Sequence, residues 1–153
     1  MFPRVTDREG CAYPEHGKLR IHGVVPLHEI LHPKYLGANG DPAMAVIKNG
    51  STTGTTVGWM SGLKSLVRHY KSVNVEFTSR ELTVVPYDNK PERGAFSGEG
   101  DSCSIIVERG GRAVAMLPGA SGITNATDVS FATPYCELEK RIKEVFPDIR
   151  LLN

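Results

Sequence analysis

The chain has 153 residues and a formal net charge of +1, because 18 lysines and arginines nearly balance 17 aspartates and glutamates. Hydrophobic residues make up 40% of it, enough for one domain with a hydrophobic core. The sequence contains no block of basic residues and no apolar run near the roughly 20 residues of a membrane span. We therefore expect neither nucleic acid nor a membrane among its partners.

The compartment is predicted from the N-terminus and the cysteines. The segment Met1–Asp7 lacks the apolar core of a secretory signal, so a cytoplasmic location is the expectation, with other compartments left open. The three cysteines are Cys11, Cys103 and Cys136, an odd number that leaves at least one without an internal disulfide partner. In a reducing compartment all three are expected to be free thiols.

Residues 1–42 are predicted to be an irregular lead-in. Prolines and glycines recur throughout this stretch, and only Lys18–Val25 alternates like a short strand. A structureless segment of this length is unusual at the start of a compact domain. We interpret it as a linker that follows a preceding module.

Within this lead-in, His28–His32 matches the His-Glu-x-x-His pattern of zinc peptidases. A helix would place both imidazoles on one face. The motif lies between Pro26 and Pro33, which leaves fewer than two helical turns, and a residue before proline tends to leave helical geometry. No histidine or glutamate follows between His32 and His69 to supply a third ligand. The sequence therefore favours a solvent-exposed turn, and we expect neither a metal nor a cofactor.

From Ala43 onwards, short apolar and β-branched runs separated by turn residues predict strands. A hairpin rich in threonine and glycine is expected over residues 49–58, and a second hairpin turns at Arg109–Arg112. Strands are predicted at 43–48, 72–77, 81–87, 104–107, 113–117 and 129–133, whereas 63–70 is ambiguous between helix and strand. This pattern is typical of an all-β antiparallel barrel.

One helix is predicted near the C-terminus. Thr133 can cap it, Pro134 suits its first position and Pro147 ends it. An apolar stripe is expected to pack against the barrel. The stripe comprises Tyr135, Leu138, Ile142, Val145 and Phe146. Four-residue spacing predicts two surface ion pairs. They are Glu137 with Arg141, and Glu139 with Lys143.

The segment Gly100–Ser104 reads Gly-Asp-Ser-Cys-Ser and is followed by the apolar run Ile105–Val107. A serine hydroxyl is a weak nucleophile at neutral pH, so it needs a base to accept its proton and donors to bind the oxyanion that forms. Glycine lets the backbone bend so that its own N–H and that of the serine point at one spot. A Gly-Asp-Ser turn that leads into a buried strand therefore suggests acyl chemistry at Ser102.

The chain resembles the C-terminal barrel of the trypsin/chymotrypsin-like serine peptidases of the PA clan, and is most similar to a group of fungal trypsin-like proteins. Phe96–Ser104 matches their Phe-Ser-x-x-Gly-Asp-Ser-Gly-Ser turn, except at one position. Lys48–Gly58 resembles the first hairpin of that barrel, and the similarity continues through Gly110–Gly111 to Thr127–Tyr135. Together these segments cover most of the chain after the lead-in.

The resemblance implies a fold and a domain organisation. Residues 43–153 would form an antiparallel Greek-key β-barrel, half of a chymotrypsin-like double barrel, and would end in an α-helix. Residues 1–42 would be the linker between the two barrels.

The resemblance also implies roles for individual residues. Ser102 would be the nucleophile, the N–H groups of Gly100 and Ser102 would be the oxyanion donors, and Asp101 would stabilise the turn. The primary specificity pocket would be lined by Phe96, Ser97, Leu117 and Gly119. An aromatic rather than acidic residue at Phe96 argues against cleavage after lysine or arginine.

The sequence departs from the family pattern at two points. Cys103 stands where the family has glycine. If that position is left-handed, the turn is strained by about 1–3 kcal/mol; the alternative is that Cys103 tucks inward as a small hydrophobe. The triad histidine and aspartate, which in the family lie on the N-terminal barrel, have no counterpart here. His69 is the only histidine in the barrel region and is a second, less favoured hypothesis for the base.

From these residues we expect a truncated serine peptidase domain that is inactive, or nearly so, as this chain alone. Peptide-bond hydrolysis would proceed through an acyl-enzyme on Ser102 once an N-terminal barrel supplies the missing groups, with a peptide or protein as substrate. The alternative is a non-catalytic peptidase-like binding module. No oligomeric state is predicted.

Overall fold

The computed structural model describes residues 20–37, 40–71, 74–87, 95–118 and 129–149, with the backbone alone at 69–71 and 74–76. In these ranges six strands form a closed barrel. The strands are β1 (Ala43–Gly50), β2 (Gly54–Lys71), β3 (Asn74–Pro86), β4 (Ile105–Glu108), β5 (Ala113–Met116) and β6 (Ser130–Pro134). Helix α1 (Leu27–Leu31) precedes them and helix α2 (Tyr135–Val145) follows.

The strand order around the barrel is β1-β2-β3-β6-β5-β4, and β4 returns to pair with β1. Every pairing in the barrel is antiparallel. The spatial sequence β4-β1-β2-β3 is that of a Greek key, in which a fourth strand returns to lie beside the first. The predicted class, an all-β antiparallel barrel with a C-terminal helix, is therefore confirmed.

The pairing of β2 with β3 shows that residues 63–70, which the sequence leaves ambiguous between helix and strand, form a strand. Residues 63–70 are part of β2, because they pair with β3 from Lys64 opposite Leu82 to Tyr70 opposite Val75. The two strands predicted at 72–77 and 81–87 are one continuous strand, β3. A bulge between Met60 and Lys64 interrupts the β2–β3 register, and β2 continues beyond Ser61, which pairs with the first residue of β1. The β4–β5 and β6 predictions agree with the structure to within two residues.

The barrel interior is filled by side chains that alternate along the strands. The core cluster consists of Val25, Ile30, Met44, Val46, Met60, Leu82, Val84, Phe96, Ile106, Val114, Ala115, Leu117 and Ala132. Burial of such side chains stabilises the fold by about 1.5–3 kcal/mol each relative to exposure. Most of the cluster lies on strands, and Phe96 and Leu117 come from the segments that flank the Gly-Asp-Ser turn.

The described part of the lead-in is more ordered than predicted. Residues 27–31 form the short helix α1, and Val25 and Ile30 are fully buried in the barrel core. The strand expected over 18–25 is wrong within the described residues, where Val24 makes only an isolated parallel bridge to Ala113. Two apolar side chains inserted into the core fix this segment, and the sequence pattern does not reveal their long-range partners.

Helix α2 differs from its prediction at its start and on its surface. Pro134 rather than Thr133 occupies the N-cap position, and no side chain caps the helix. Lys143 pairs with Glu139 at 2.6 Å as predicted. Glu137 instead pairs with Lys64 of β2, because the fold brings that lysine within 2.7 Å. No residue of α2 is fully buried, and Val145 at the end of the stripe is exposed.

Neither helix in the described ranges has the length and apolar character that crossing a membrane would require.

Candidate active site

The Gly-Asp-Ser segment forms two consecutive tight turns just before β4. The amide of Asp101 donates to the carbonyl of Gly98 at 3.1 Å, and the amide of Ser104 donates to the carbonyl of Asp101 at 3.1 Å. Gly100 has φ +97°, a left-handed conformation that glycine adopts without steric cost. Ser102 is the second residue of the second turn and is exposed.

Hydrogen bonds join both ends of this segment to the barrel. The amide of Cys103 donates to the carbonyl of Leu117 at 2.8 Å, and the amide of Leu117 donates back to Ser104 at 3.0 Å. On the other side, the hydroxyl of Thr52 donates to the carbonyl of Glu99 at 2.6 Å. The serine turn is therefore held between the end of β5 and the turn of the β1–β2 hairpin.

Asp101 points away from solvent and binds that hairpin turn. Its carboxylate accepts hydrogen bonds from the amide of Thr52 at 2.8 Å and from the hydroxyl of Thr53 at 2.6 Å. It also accepts from the amide of Thr53 at 3.2 Å and from that of Gly98, in its own turn, at 3.1 Å. The carboxylate thus joins two loops that are far apart in sequence.

The counter-ion of Asp101 is Lys48, whose ammonium lies 3.0 Å from Oδ2. The same ammonium donates to the hydroxyl of Thr53 and to the carbonyl of Gly54, and lies 5.8 Å from the centroid of the Phe96 ring. This lysine is not among the residues predicted from the sequence. Its signal was present, since Met44, Val46 and Lys48 alternate on the inward face of β1.

Two opposing effects set the pKa of Asp101. Burial raises it, but hydrogen bonds from the Thr53 hydroxyl, the Thr52 amide and the Lys48 ammonium outweigh burial and hold the pKa well below its ordinary value. Asp101 is therefore a carboxylate at neutral pH. Its burial against a cation also explains how a charged group is accommodated in the barrel.

Two glycines allow the loops to approach this closely. A Cβ on Gly50 would overlap the carboxylate of Asp101. A Cβ on Gly100 would overlap the hydroxyl of Thr52, and Gly100 also needs its left-handed φ. Both positions therefore require the absence of a side chain.

The amides of Gly100 and Ser102 lie within two residues of the exposed Ser102 hydroxyl along the chain. Among the described residues, neither amide donates an internal hydrogen bond, whereas the amides of Asp101, Cys103 and Ser104 all do. Two unused N–H groups beside a hydroxyl are the arrangement that binds a negatively charged oxygen during acyl transfer. The hydroxyl of Ser102 itself makes no hydrogen bond within the described ranges, so a general base is not paired with it there.

Cys103 adopts a left-handed conformation with φ +66°, and it is the only described residue other than glycine to do so. Its side chain is exposed. The alternative that it tucks inward is therefore wrong, because a residue in this conformation projects its side chain out of the turn. Non-glycine residues in this region carry about 1–3 kcal/mol of strain.

The four residues expected to line a specificity pocket have different surroundings. Phe96 and Leu117 are fully buried in the core cluster. Ser97 is buried, and its hydroxyl shares a 2.6 Å hydrogen bond with that of Ser130 on β6. Gly119 lies outside the described residues. Ser130 was not identified from the sequence, since its role depends on a contact between distant segments.

The histidines do not form a site in the described ranges. His22, His28 and His32 are exposed, and the side chain of His69 lies outside the described residues, as do His16 and Cys11. His32 leaves helical geometry at φ −125°, as its position before Pro33 predicts. Glu29, the glutamate of the zinc-like motif, instead binds Arg112 at 3.1 Å. No group of three potential metal ligands occurs in the described part of the chain.

The fold is that of chymotrypsin-like serine proteases. One solved structure that carries it is a glutamic acid-specific serine protease that uses a histidine triad in substrate binding. It matches with a TM-score of 0.56 and 17% identity over 86% of this chain and 56% of that one. A second is Cellulomonas bogoriensis chymotrypsin, with a TM-score of 0.51 and 21% identity over 85% of this chain and 53% of that one.

The chain therefore spans about half the length of the solved structures it matches. No protein-family model matches it, and no curated protein sequence does so.

Proposed function

We propose that the chain is the nucleophile-bearing barrel of a trypsin-like serine peptidase, with Ser102 as the nucleophile. The observation that carries the proposal is the pair of unused amides, on Gly100 and Ser102, beside an exposed hydroxyl. The turn that presents them is fixed by the buried pair of Lys48 and Asp101. Its rigidity matters because preorganised donors cost no reorganisation when charge develops on the substrate.

The proposed reaction is acyl transfer. The oxygen of Ser102 attacks the carbonyl carbon of a peptide bond while a base accepts the hydroxyl proton. The resulting oxyanion accepts hydrogen bonds from the amides of Gly100 and Ser102. The proton then passes to the leaving amine as the peptide C–N bond breaks, and water hydrolyses the acyl-enzyme in a second, similar step.

The base and its orienting carboxylate are proposed to come from a second barrel. The described histidines do not contact Ser102, and Asp101 is fully occupied by its own hydrogen bonds. Because the chain resembles the trypsin-like peptidases, we propose that the histidine and aspartate lie on an N-terminal barrel. Without them this chain retains only the modest acceleration that an oxyanion site and substrate binding provide.

Chemical rescue tests this proposal. The chain is incubated with a fluorophosphonate, which phosphonylates activated serines, with and without imidazole as an external base. We expect slow single-site labelling at Ser102, located by peptide mass spectrometry, and a rate that rises with the concentration of neutral imidazole. Ser102→Ala is expected to abolish labelling, whereas the matched variant Ser104→Ala retains it.

Two results would contradict the proposal. Labelling at the rate of an intact peptidase without imidazole would show that this chain already holds a base. Labelling that imidazole does not accelerate, or that persists in Ser102→Ala, would remove Ser102 as the nucleophile.

A second candidate is a non-catalytic peptidase-like binding module. The strained Cys103 favours it, since a turn that need not support turnover tolerates a residue other than glycine at φ +66°. This function predicts no imidazole-dependent labelling. It also predicts that peptide binding is unchanged by Ser102→Ala.

A further inference from the structure

A two-stranded arm extends beyond the barrel. We define the arm as residues 63–71 of β2 and 74–80 of β3. Strand β2 pairs with β1 only as far as Ser61, and β3 pairs with β6 only at Leu82–Val84. Beyond these points the two strands pair only with each other among the described residues. Among the residues that the structure describes, no strand pairs with the outer edge of β2 in the arm, and the backbone N–H and C=O groups of such an edge are a template for another strand.

Two leucines of β2 are exposed in the arm. Leu63 is 74% exposed and Leu66 is 59% exposed. Single exposed leucines are common on protein surfaces. Here the two lie within four residues of each other on β2, so side chains of an added strand can contact them.

Positive charge surrounds Leu66. Arg80 lies directly opposite it in the β2–β3 register, and Arg68 is the next residue on the same face of β2. Both arginines are exposed, and neither has an ion pair within the described ranges. The sequence of the arm contains four basic residues and one acidic residue, Glu76. The basic residues are Lys64, Arg68, Lys71 and Arg80. Lys64 is already neutralised by Glu137 of α2.

The arm is distant from the serine turn. Thr53, which binds Asp101, immediately precedes β2, and Leu63 lies ten residues further along the same strand. At the rise of a β-strand this is about 30 Å along the chain. A ligand on the arm is therefore independent of acyl chemistry at Ser102.

We propose that the outer edge of β2 in the arm binds an acidic, extended polypeptide segment by strand addition. Backbone hydrogen bonds supply affinity, and side chains on alternate positions supply specificity. An apolar side chain of the partner lies opposite Leu66, and acidic side chains two positions to either side lie opposite Arg68 and Lys64, while Arg80 adds positive charge from β3 on the other side of Leu66. The partner strand must carry its acidic and apolar residues on one face.

Charge argues against a second copy of the chain as the occupant. If two β2 edges paired antiparallel about Leu66, Arg68 and Arg80 of both copies would lie on one face of the joined sheet, where, among the described residues, only Lys64 of each copy has its own counter-ion, Glu137. Like charges on neighbouring strands destabilise a strand pair. An acidic partner relieves this repulsion.

The proposal is tested with the peptide Thr-Asp-Thr-Leu-Thr-Asp-Thr, which places Asp, Leu and Asp on one face of a strand. The peptide is titrated into isotopically labelled protein and amide chemical shifts are followed. We expect saturable shifts confined to the arm and its immediate neighbours, weaker binding as salt rises, and at least about tenfold weaker binding of the same peptide with Lys in place of Asp. A peptide with alternate amides N-methylated should not bind, because it lacks strand donors.

Two charge-reversal variants provide a matched comparison. Arg68→Glu with Arg80→Glu is expected to weaken binding at least about tenfold. Lys140→Glu with Arg141→Glu changes the net charge equally on the exposed face of α2 and should leave binding within about twofold, since those residues lie on a different element. Ser102→Ala should also leave it unchanged, which separates this proposal from the proposed function.

The proposal is overturned if the acidic and basic peptides bind equally or if the arm variant binds as the wild type does. It is also overturned if the shifts lie outside the arm. Concentration-dependent dimerisation through residues 63–68 without peptide would assign the edge to a second copy instead.

Discussion

The ammonium of Lys48 lies 3.0 Å from the carboxylate of Asp101, and their side chains are 0% and 1% exposed. One charge comes from the first strand of the barrel and the other from the turn that presents Ser102. A buried pair of this kind contributes little net stability compared with apolar residues, but removing one partner leaves an uncompensated buried charge. The geometry of the serine turn therefore depends on both residues.

Lys48→Met should be strongly destabilising. Methionine approximates the volume of the lysine stem but leaves the carboxylate of Asp101 without its cation. We expect a loss of about 3–5 kcal/mol in the free energy of unfolding, measured by urea denaturation. The double variant Lys48→Met with Asp101→Asn should lose less than the sum of the single variants, because no buried charge is left. Strict additivity would contradict the coupling.

The pH dependence of stability should report on Asp101. Its pKa is lowered in the folded protein, so its stabilising contribution is complete above the unfolded value of about 3.9. As pH falls below about 4, the unfolded chain takes up the proton before the folded one does, and the contribution decreases. The difference in unfolding free energy between wild type and Asp101→Asn should be constant from pH 7 to 5 and narrow towards pH 3. A difference in unfolding free energy that widens as the pH falls would contradict a lowered pKa of Asp101.

Cys103→Gly should stabilise the chain. Glycine adopts φ +66° without the Cβ clash that cysteine suffers, although it also increases the entropy of the unfolded chain. The net gain is expected to be about 1 kcal/mol, measured by thermal and urea unfolding. Cys103→Ala is the control, since it removes the thiol and retains the strain. Equal stability of the two variants would argue that the conformation at this position is unstrained.

Gly50→Ala should disturb the serine turn, because Gly50 at the end of β1 lies against the carboxylate of Asp101. Its new methyl group would overlap the carboxylate of Asp101, which has no room to move. We expect a loss of about 1–3 kcal/mol, typical of overpacking. Asn49→Ala is the control, because Asn49 is the exposed neighbour of Gly50 on β1 and its substitution adds no atom beside Asp101. Similar effects of the two substitutions would contradict a tight contact between the hairpin and the turn.

Much of the barrel could be predicted from the sequence, because β-branched alternation and turn residues act locally. Residues 63–70 could not be assigned, since Leu63, Leu66, Val67 and Tyr70 satisfy helical spacing as well. Pairing with β3 makes these residues a strand, and local sequence spacing does not reveal this pairing. For the same reason Glu137 pairs with Lys64 of β2 rather than with Arg141, its neighbour one helical turn away.

The site was only partly accessible to sequence reasoning. The turn itself was identified because glycine, aspartate and serine act within a few residues of one another. Lys48 was overlooked, although period-two alternation places it on the inward face of β1. The contact between Ser97 and Ser130 has no local signal, because the two residues belong to different segments that only the closed barrel brings together.

We propose that the amides of Gly100 and Ser102 bind the oxyanion that forms on the substrate carbonyl oxygen when the oxygen of Ser102 attacks. A peptidyl boronic acid tests it most directly, because boron becomes tetrahedral and anionic when a serine oxygen adds to it. We expect a tetrahedral boron signal that Ser102→Ala abolishes, with large downfield amide proton shifts at Gly100 and Ser102 in the adduct. Boron that stays trigonal, or an adduct on Ser102 that leaves both amide resonances in place, would contradict it.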